Sequence, residues 1–186
     1  MQMFGGAARQ EGNAAVTIEV RRCGASFDVS GDDAGPYCGI GAGDLPNVLM
    51  DVVVRSLVTN QNSGVVLHAG LVACNGKGIL IAGPSGSGKS SLVCWLIDRG
   101  LDYASDEIAL LQPGLPLASG LPRAIVLKEG SAELVRKMSA FRHSSGLIAA
   151  TTTMLAPPRR ENGLSPVPIA LIVFPRFEHG ASLSIR

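Results

Sequence analysis

The chain has 186 residues, of which 46% are hydrophobic and 17% charged, which excludes a disordered chain and leaves apolar surface for the core of one domain. Lys and Arg (16) nearly cancel Asp and Glu (15), so the basic excess of a chain that binds nucleic acid by neutralising phosphates is missing. Aromatics make up 4%, which predicts an aliphatic core, and 23 Gly with 11 Pro predict many turns.

Residues 1–13 are rich in Gly, Ala and Gln, lack the apolar stretch of a secretory signal and are expected to be flexible; residues 14–186 are expected to form a single domain. Val16, Ile18 and Val20 alternate with polar residues and predict a half-buried strand. Phe27 and Val29 suggest its hairpin partner, with Cys23-Gly24 near the turn. Residues 30–43 hold five glycines and a proline and read as loop. Asp44 then stands at an N-cap position with Pro46 in the first turn. The helix that follows carries Val48, Leu49, Val52, Val53, Leu57 and Val58 near a 3.6-residue period and is expected to stop near Asn60. Asp51 and Arg55 interrupt this apolar stretch, so no membrane crossing is predicted.

Two β segments follow at 65–74 and 78–82, joined by Asn75-Gly76, a strong hairpin signal because both residues accept positive φ. The run Ile79-Leu80-Ile81-Ala82 reads as a strand buried on both faces. A glycine-rich turn leads into a helix from Lys89 to about Arg99, with Gly100 just past its end. Strands are expected at 103–111, 124–128 and 169–174, with a helix at 131–139. Cys23, Cys38, Cys74 and Cys94 form no CxxC pair and have no His at ligand spacing. Cys74 and Cys94 lie in apolar segments, where a free thiol behaves as a small hydrophobe. The expectation is a reduced, soluble, cytoplasmic α/β domain whose mixed sheet, with antiparallel hairpins, is flanked by helices.

Gly83-Pro84-Ser85-Gly86-Ser87-Gly88-Lys89-Ser90 fits G-x-x-x-x-G-K-[ST] at every position. Glycines let successive backbone N–H groups curl around a phosphate without a Cβ in the way. The helix N-terminus, opened by Lys89, Ser90 and Ser91, adds free donors and a positive dipole end. Lys89 would reach the β- and γ-phosphates, and the Ser90 hydroxyl would ligate Mg²⁺. These features predict binding of a nucleotide such as ATP. Ser105-Asp106-Glu107 follows, at or near a short strand expected beside the one leading into the turn. One carboxylate would serve the metal and the other would take a proton from an attacking hydroxyl. A surface acidic pair at a turn is the plainer alternative.

From His68 to Leu111 the sequence resembles the C-terminal catalytic domain of the HPr kinase/phosphorylase family, protein-serine kinases related to phosphoenolpyruvate carboxykinase. The resemblance rests on His68 opening a strand, Gly76 and Gly78 in the hairpin, the apolar strand into Gly83, the turn itself, Leu96-Ile97-Asp98-Arg99-Gly100, and the acidic pair. It covers about a quarter of the chain. It implies a P-loop nucleotide-binding domain of the HPr kinase and phosphoenolpyruvate carboxykinase type, using ATP and Mg²⁺ to phosphorylate a serine of a protein or peptide. Asp106 falls on the family's general base, Glu107 where a second Asp commonly serves the metal, and His68 on a histidine near the phosphate loop. The alternative role for His68 is a capped core histidine at a strand start. The N-terminal domain of HPr kinases proper and their Gly-rich signature after the acidic pair are missing. In place of that signature, Leu121-Pro122-Arg123-Ala124-Ile125-Val126-Leu127-Lys128-Glu129-Gly130 looks more like HPr-kinase-related proteins found with modified-peptide biosynthesis systems. Arg123 and Lys128 would contact phosphate or an acidic substrate, or else be solvated surface charges. A homo-oligomer is compatible with the resemblance, and the family continues beyond the strand at 169–174, so Arg186 is expected to be a truncated end. The rival reading is a non-catalytic ATP-binding regulatory or assembly module.

Overall fold

The computed structural model describes residues 17–32, 34–59, 64–144, 146–149, 152–158 and 165–178. The expected flexible segment 1–13 and Asn60 lie outside them. The chain opens with β1 (Ile18–Cys23), β2 (Ser26–Gly31) and β3 (Ala34–Ile40), an antiparallel sheet in the order β1-β2-β3. Cys23 faces Ser26 across the first hairpin, so Gly24, with φ +65°, and Ala25 make the turn. Helix α1 (Leu45–Thr59) packs across β2 and β3, and Val29, Ala34 and Val52 are buried there among Ile18, Tyr37, Ile40 and Leu49. β1 joins this contact only through Ile18 at its start, and Val20, expected to be half-buried, is 44% exposed. The segment 30–43 is not all loop: β3 runs through its middle. β3 borders the sheet, where Pro36 removes a donor without breaking an inner ladder, and its pairing slips register twice. The Asp44 carbonyl accepts the N–H groups of Asn47 and Val48 at 3.0 and 3.1 Å, setting the helix start where the N-cap reading put it.

β4 (Val65–Cys74) and β5 (Lys77–Ala82) form the expected hairpin, with φ +49° at Asn75 and +73° at Gly76. β4 organises the rest. Its second half pairs with β5 and with β6 (Asp102–Ser105), and its first half pairs with β7 (Ile108–Leu111). β7 pairs with β8 (Leu117–Gly120), and β8 pairs with the start of β12 (Val167–Val173). The remainder of β12 lies parallel to β5, so the pairings return to β4 and close a ring. Ala69, Leu71, Ala73, Leu80, Ala104, Ala109, Ala118 and Val167 fill one core cluster, whose many alanines let these strands approach closely.

The alternate residues of β4 and β5, Val72 and Ile81, belong to a second core with α2 (Lys89–Asp98). Beyond α2 come β9 (Ile125–Lys128), α3 (Glu129–Arg136), a 3₁₀ turn at Ser139–Phe141, β10 (Gly146–Ala149) and β11 (Thr152–Leu155). The helix expected at 131–139 is therefore shorter and shifted. Val93, Cys94, Ile125, Leu127, Val135, Phe141 and Leu155 meet in this second core. Helix α2 comes so close to β4 that a Cβ on Gly70 would stand 2.6 Å from Val93 Cγ2. The helix ends in a Schellman motif: Gly100 N–H bonds the Ile97 carbonyl at 2.9 Å and Leu101 N–H the Leu96 carbonyl at 3.1 Å. The architecture is mixed α/β, with antiparallel and mixed sheets flanked by helices. Among the described residues no helix is long and apolar enough to cross a membrane. All four cysteines are free; Cys94 is buried as expected, whereas Cys74, at the hairpin end, is exposed.

Candidate functional site

β5 delivers the chain into the glycine-rich turn, and α2 begins at its far end with Lys89. Gly88 caps the helix at φ +96°, ψ 12°, a left-handed conformation that L side chains rarely adopt, and its carbonyl accepts the Leu92 N–H at 2.9 Å. Lys89 is 7% exposed. Its ammonium folds back over the turn and donates to the carbonyls of Gly83 at 2.7 Å and Pro84 at 3.0 Å. Ser87 Oγ is buried in the same turn and makes no hydrogen bond. Pro84, Ser85 and Gly86 are exposed, while Ser90 and Ser91 are half-buried in the first turn of α2. A cation, an orphaned hydroxyl and the first N–H groups of a helix thus converge on one turn, which suits an anion.

The strand expected at 103–111 is two strands, β6 and β7, broken at Asp106-Glu107. Ser105 makes the break: its Oγ accepts the N–H groups of Glu107 at 3.2 Å and Ile108 at 2.9 Å, replacing ladder bonds with a local turn. The Glu107 carbonyl then takes the Ala69 N–H at 2.9 Å, which ties the break to β4 beside His68. Contrary to expectation, the acidic strand is not beside β5, because β4 stands between them.

In a straight strand Asp106 and Glu107 would point to opposite faces. The break lets both meet Arg123. Arg123 Nε lies 3.6 Å from Asp106 Oδ1, and its Nη2 pairs with Glu107 Oε2. The Tyr103 hydroxyl is within hydrogen-bond reach of two acceptors, Asp106 Oδ1 at 3.2 Å and the Arg123 carbonyl at 3.0 Å. Arg123 and Asp106 are almost fully buried, whereas the Glu107 side chain is 39% exposed. Burial pushes the Asp106 carboxyl above the ordinary carboxylate range, although the Arg123 charge and the Tyr103 hydroxyl pull the other way. Cys94 lies close enough to feel Asp106. Burial, then that negative charge, pushes its thiol far up, so it stays protonated.

His68 stands at the rim of this cluster, opposite Ile108. Partial desolvation and the positive charges of Lys89 and Arg123 hold its imidazole below the usual histidine range, which leaves it neutral at neutral pH. His68 thus feels both Lys89 of the glycine-rich turn and Arg123, which in turn pairs with Asp106 and Glu107. Lys128, which the sequence grouped with Arg123, is exposed at the N-cap of α3, and no described hydrogen bond or ion pair joins it to this group. Arg123 is no solvated surface charge: its guanidinium is held between the two carboxylates.

A cavity of about 210 Å³ opens beside Glu107 and Arg123. Val126 and Met154 line one part, and Asn47, Met50, Asp51 and Val54 of α1 line another. Those four helical positions recur at i, i+3, i+4 and i+7, a second stripe next to the one that covers β2 and β3. Asp51 is fixed there by the Tyr37 hydroxyl and by Arg55 Nε, both at 2.8 Å. Sequence reasoning missed this wall. The signal was Asp51 and Arg55 one turn apart, which read only as interruptions of an apolar helix. Among the described residues, no three His, Cys, Asp or Glu side chains gather around a common metal position. Comparison with protein-family models, with curated proteins and with solved structures returns no match.

Proposed function

We propose that this chain is an ATP-dependent kinase that transfers the γ-phosphoryl group to a serine hydroxyl of a protein or peptide, built on the P-loop architecture of the family it resembles. The observation that carries this reading is a glycine-rich turn closed by the buried Lys89, with His68 under the influence of both that lysine and Arg123, the arginine that joins a carboxylate pair presented by a broken strand beside a cavity. On this reading Lys89 exchanges the Gly83 and Pro84 carbonyls for the β- and γ-phosphates, and the N–H groups of the turn and of α2 bind phosphate oxygens. Mg²⁺ is ordinarily held by one or two carboxylates together with substrate phosphates. The Ser90 hydroxyl and Glu107 fit that shared mode, and the orphaned Ser87 hydroxyl suits a phosphate oxygen. When bound, Mg²⁺ neutralises charge on the phosphates.

The acceptor serine enters through the cavity lined by α1. Its oxygen bonds to the γ-phosphorus as the bond from that phosphorus to the ADP oxygen breaks, and its proton passes to Asp106. A carboxyl with a raised pKa is the stronger base once ionised, and Arg123 keeps it ionised. Asp106 sits behind Arg123, so the acceptor has to draw the guanidinium aside. His68, neutral at the rim, is placed to accept a hydrogen bond from phosphate or acceptor. ATP chemistry and four free cysteines suit the cytoplasm.

A non-catalytic ATP-binding module would use the same turn. It has no need for a carboxylate buried against an arginine, an arrangement whose desolvation is costly. The test is thermal: Mg-ATP should raise the melting temperature more than ATP with a chelator does, by mass action on the native state. Equal stabilisation with and without Mg²⁺ would remove the acidic pair from the metal. ADP formation that rises on adding serine peptides would separate the kinase from the module.

A further inference from the structure

We infer that Phe177, on the segment following β12, is a stacking platform for the base of the nucleotide whose phosphates occupy the glycine-rich turn; the inference rests on the nucleotide-binding reading above. β12 runs parallel to β5, with Leu171, Ile172 and Val173 opposite Ile79, Leu80 and Ile81. Parallel neighbours release their following segments at the same end of the sheet, so the chain leaving β12 emerges beside the turn leaving β5. Two close approaches fix the path. The Pro175 carbonyl lies 3.8 Å from the place a Gly83 Cβ would occupy, and Phe177 Cβ lies 3.7 Å from that of Gly88. The segment therefore follows the turn along its length.

Phe177 nevertheless leaves 70% of its surface exposed, and Arg176 and Glu178 on either side pair with each other at 2.9 Å. The Arg176 charge is thereby engaged, and Phe177 stays largely open to solvent where its Cβ approaches the end of the glycine-rich turn. A base attached to phosphates in that turn is the flat, apolar partner nearest to hand, and aromatic stacking accepts any base because each presents a π face.

The test compares Mg-ATP with inorganic tripolyphosphate by calorimetric titration of the full chain. Phe177→Ala should weaken Mg-ATP by about 5- to 100-fold, the range for loss of one base–aromatic stack, and leave tripolyphosphate within about twofold. Phe177→Trp should restore the ATP affinity. Lys89→Ala should weaken both ligands, which separates a failure of the phosphate site from a failure of the base platform. Equal weakening of ATP and tripolyphosphate in Phe177→Ala would mean that the ring only supports the turn, and unchanged ATP affinity would mean that it touches no base. Either result overturns the inference, as would wild-type protein that binds neither ligand.

Discussion

Asp106 shows how one side chain's surroundings set its chemistry. Its carboxyl is buried, and burial raises its pKa more than Arg123 and Tyr103 lower it. A group whose folded pKa is raised contributes stability that is present below the ordinary carboxylate value and lost as pH rises through the raised one. For the proposed kinase activity the sign is opposite, because Asp106 as the proposed base works only when ionised. Turnover should therefore fall, as pH drops, at a pH above the ordinary carboxylate range. Removing the Arg123 charge (Arg123→Gln) should move that acid limb to higher pH. A pH profile of ADP formation checks this, and a limb that stays put or moves down would detach Asp106 from the rate. Cys94 gives a second test at this scale. Its buried, protonated thiol should resist iodoacetamide in the native protein, while exposed Cys23, Cys38 and Cys74 react. Intact mass should report three additions, and a fourth without denaturant would contradict the packing around α2.

Elements were legible where their signals are local. Asn75-Gly76 specifies its hairpin through backbone freedom alone, and the helix from Lys89 to Gly100 carries its own start and stop. The glycine-rich turn could be read for the same reason. β3, β8, β10 and β11 were not legible, because short segments such as Leu117-Ala118-Ser119-Gly120 become strands only through partners distant in sequence. The break between β6 and β7 was foreseeable only as a requirement for Asp106 and Glu107 to converge, since an apolar–polar pattern cannot show that the Ser105 hydroxyl will capture two N–H groups. That break matters most for the site, because it brings Asp106 and Glu107 to one arginine. The approach of α2 to β4 makes a measurable claim. Gly70→Ala would drive a methyl into Val93, an overpacking that costs about 1–3 kcal/mol, and Val93→Ala in the same chain should recover part of it. Urea denaturation of the single and double variants measures both, and an unchanged midpoint in Gly70→Ala would mean that the helix stands further off.

At the scale of the molecule, the candidate site is assembled from parts that no sequence window contains together. The turn comes from β5 and α2, the carboxylates from the β6–β7 break, Arg123 from the chain just before β9, and the cavity wall from α1. The glycine-rich turn and the acidic pair were legible because both are contiguous motifs. The role of α1 and the inward turn of Arg123 follow only from how the layers pack. The most direct measurement of the central claim is phosphoserine formation from Mg-ATP on a degenerate serine-peptide library, with wild type, Asp106→Asn and Glu107→Gln each also titrated with Mg-ATP. The account predicts that Asp106→Asn binds Mg-ATP as wild type does but loses transfer by about 10²–10⁴-fold, while Glu107→Gln weakens the Mg²⁺ dependence of binding. Full phosphotransfer by both variants would contradict it.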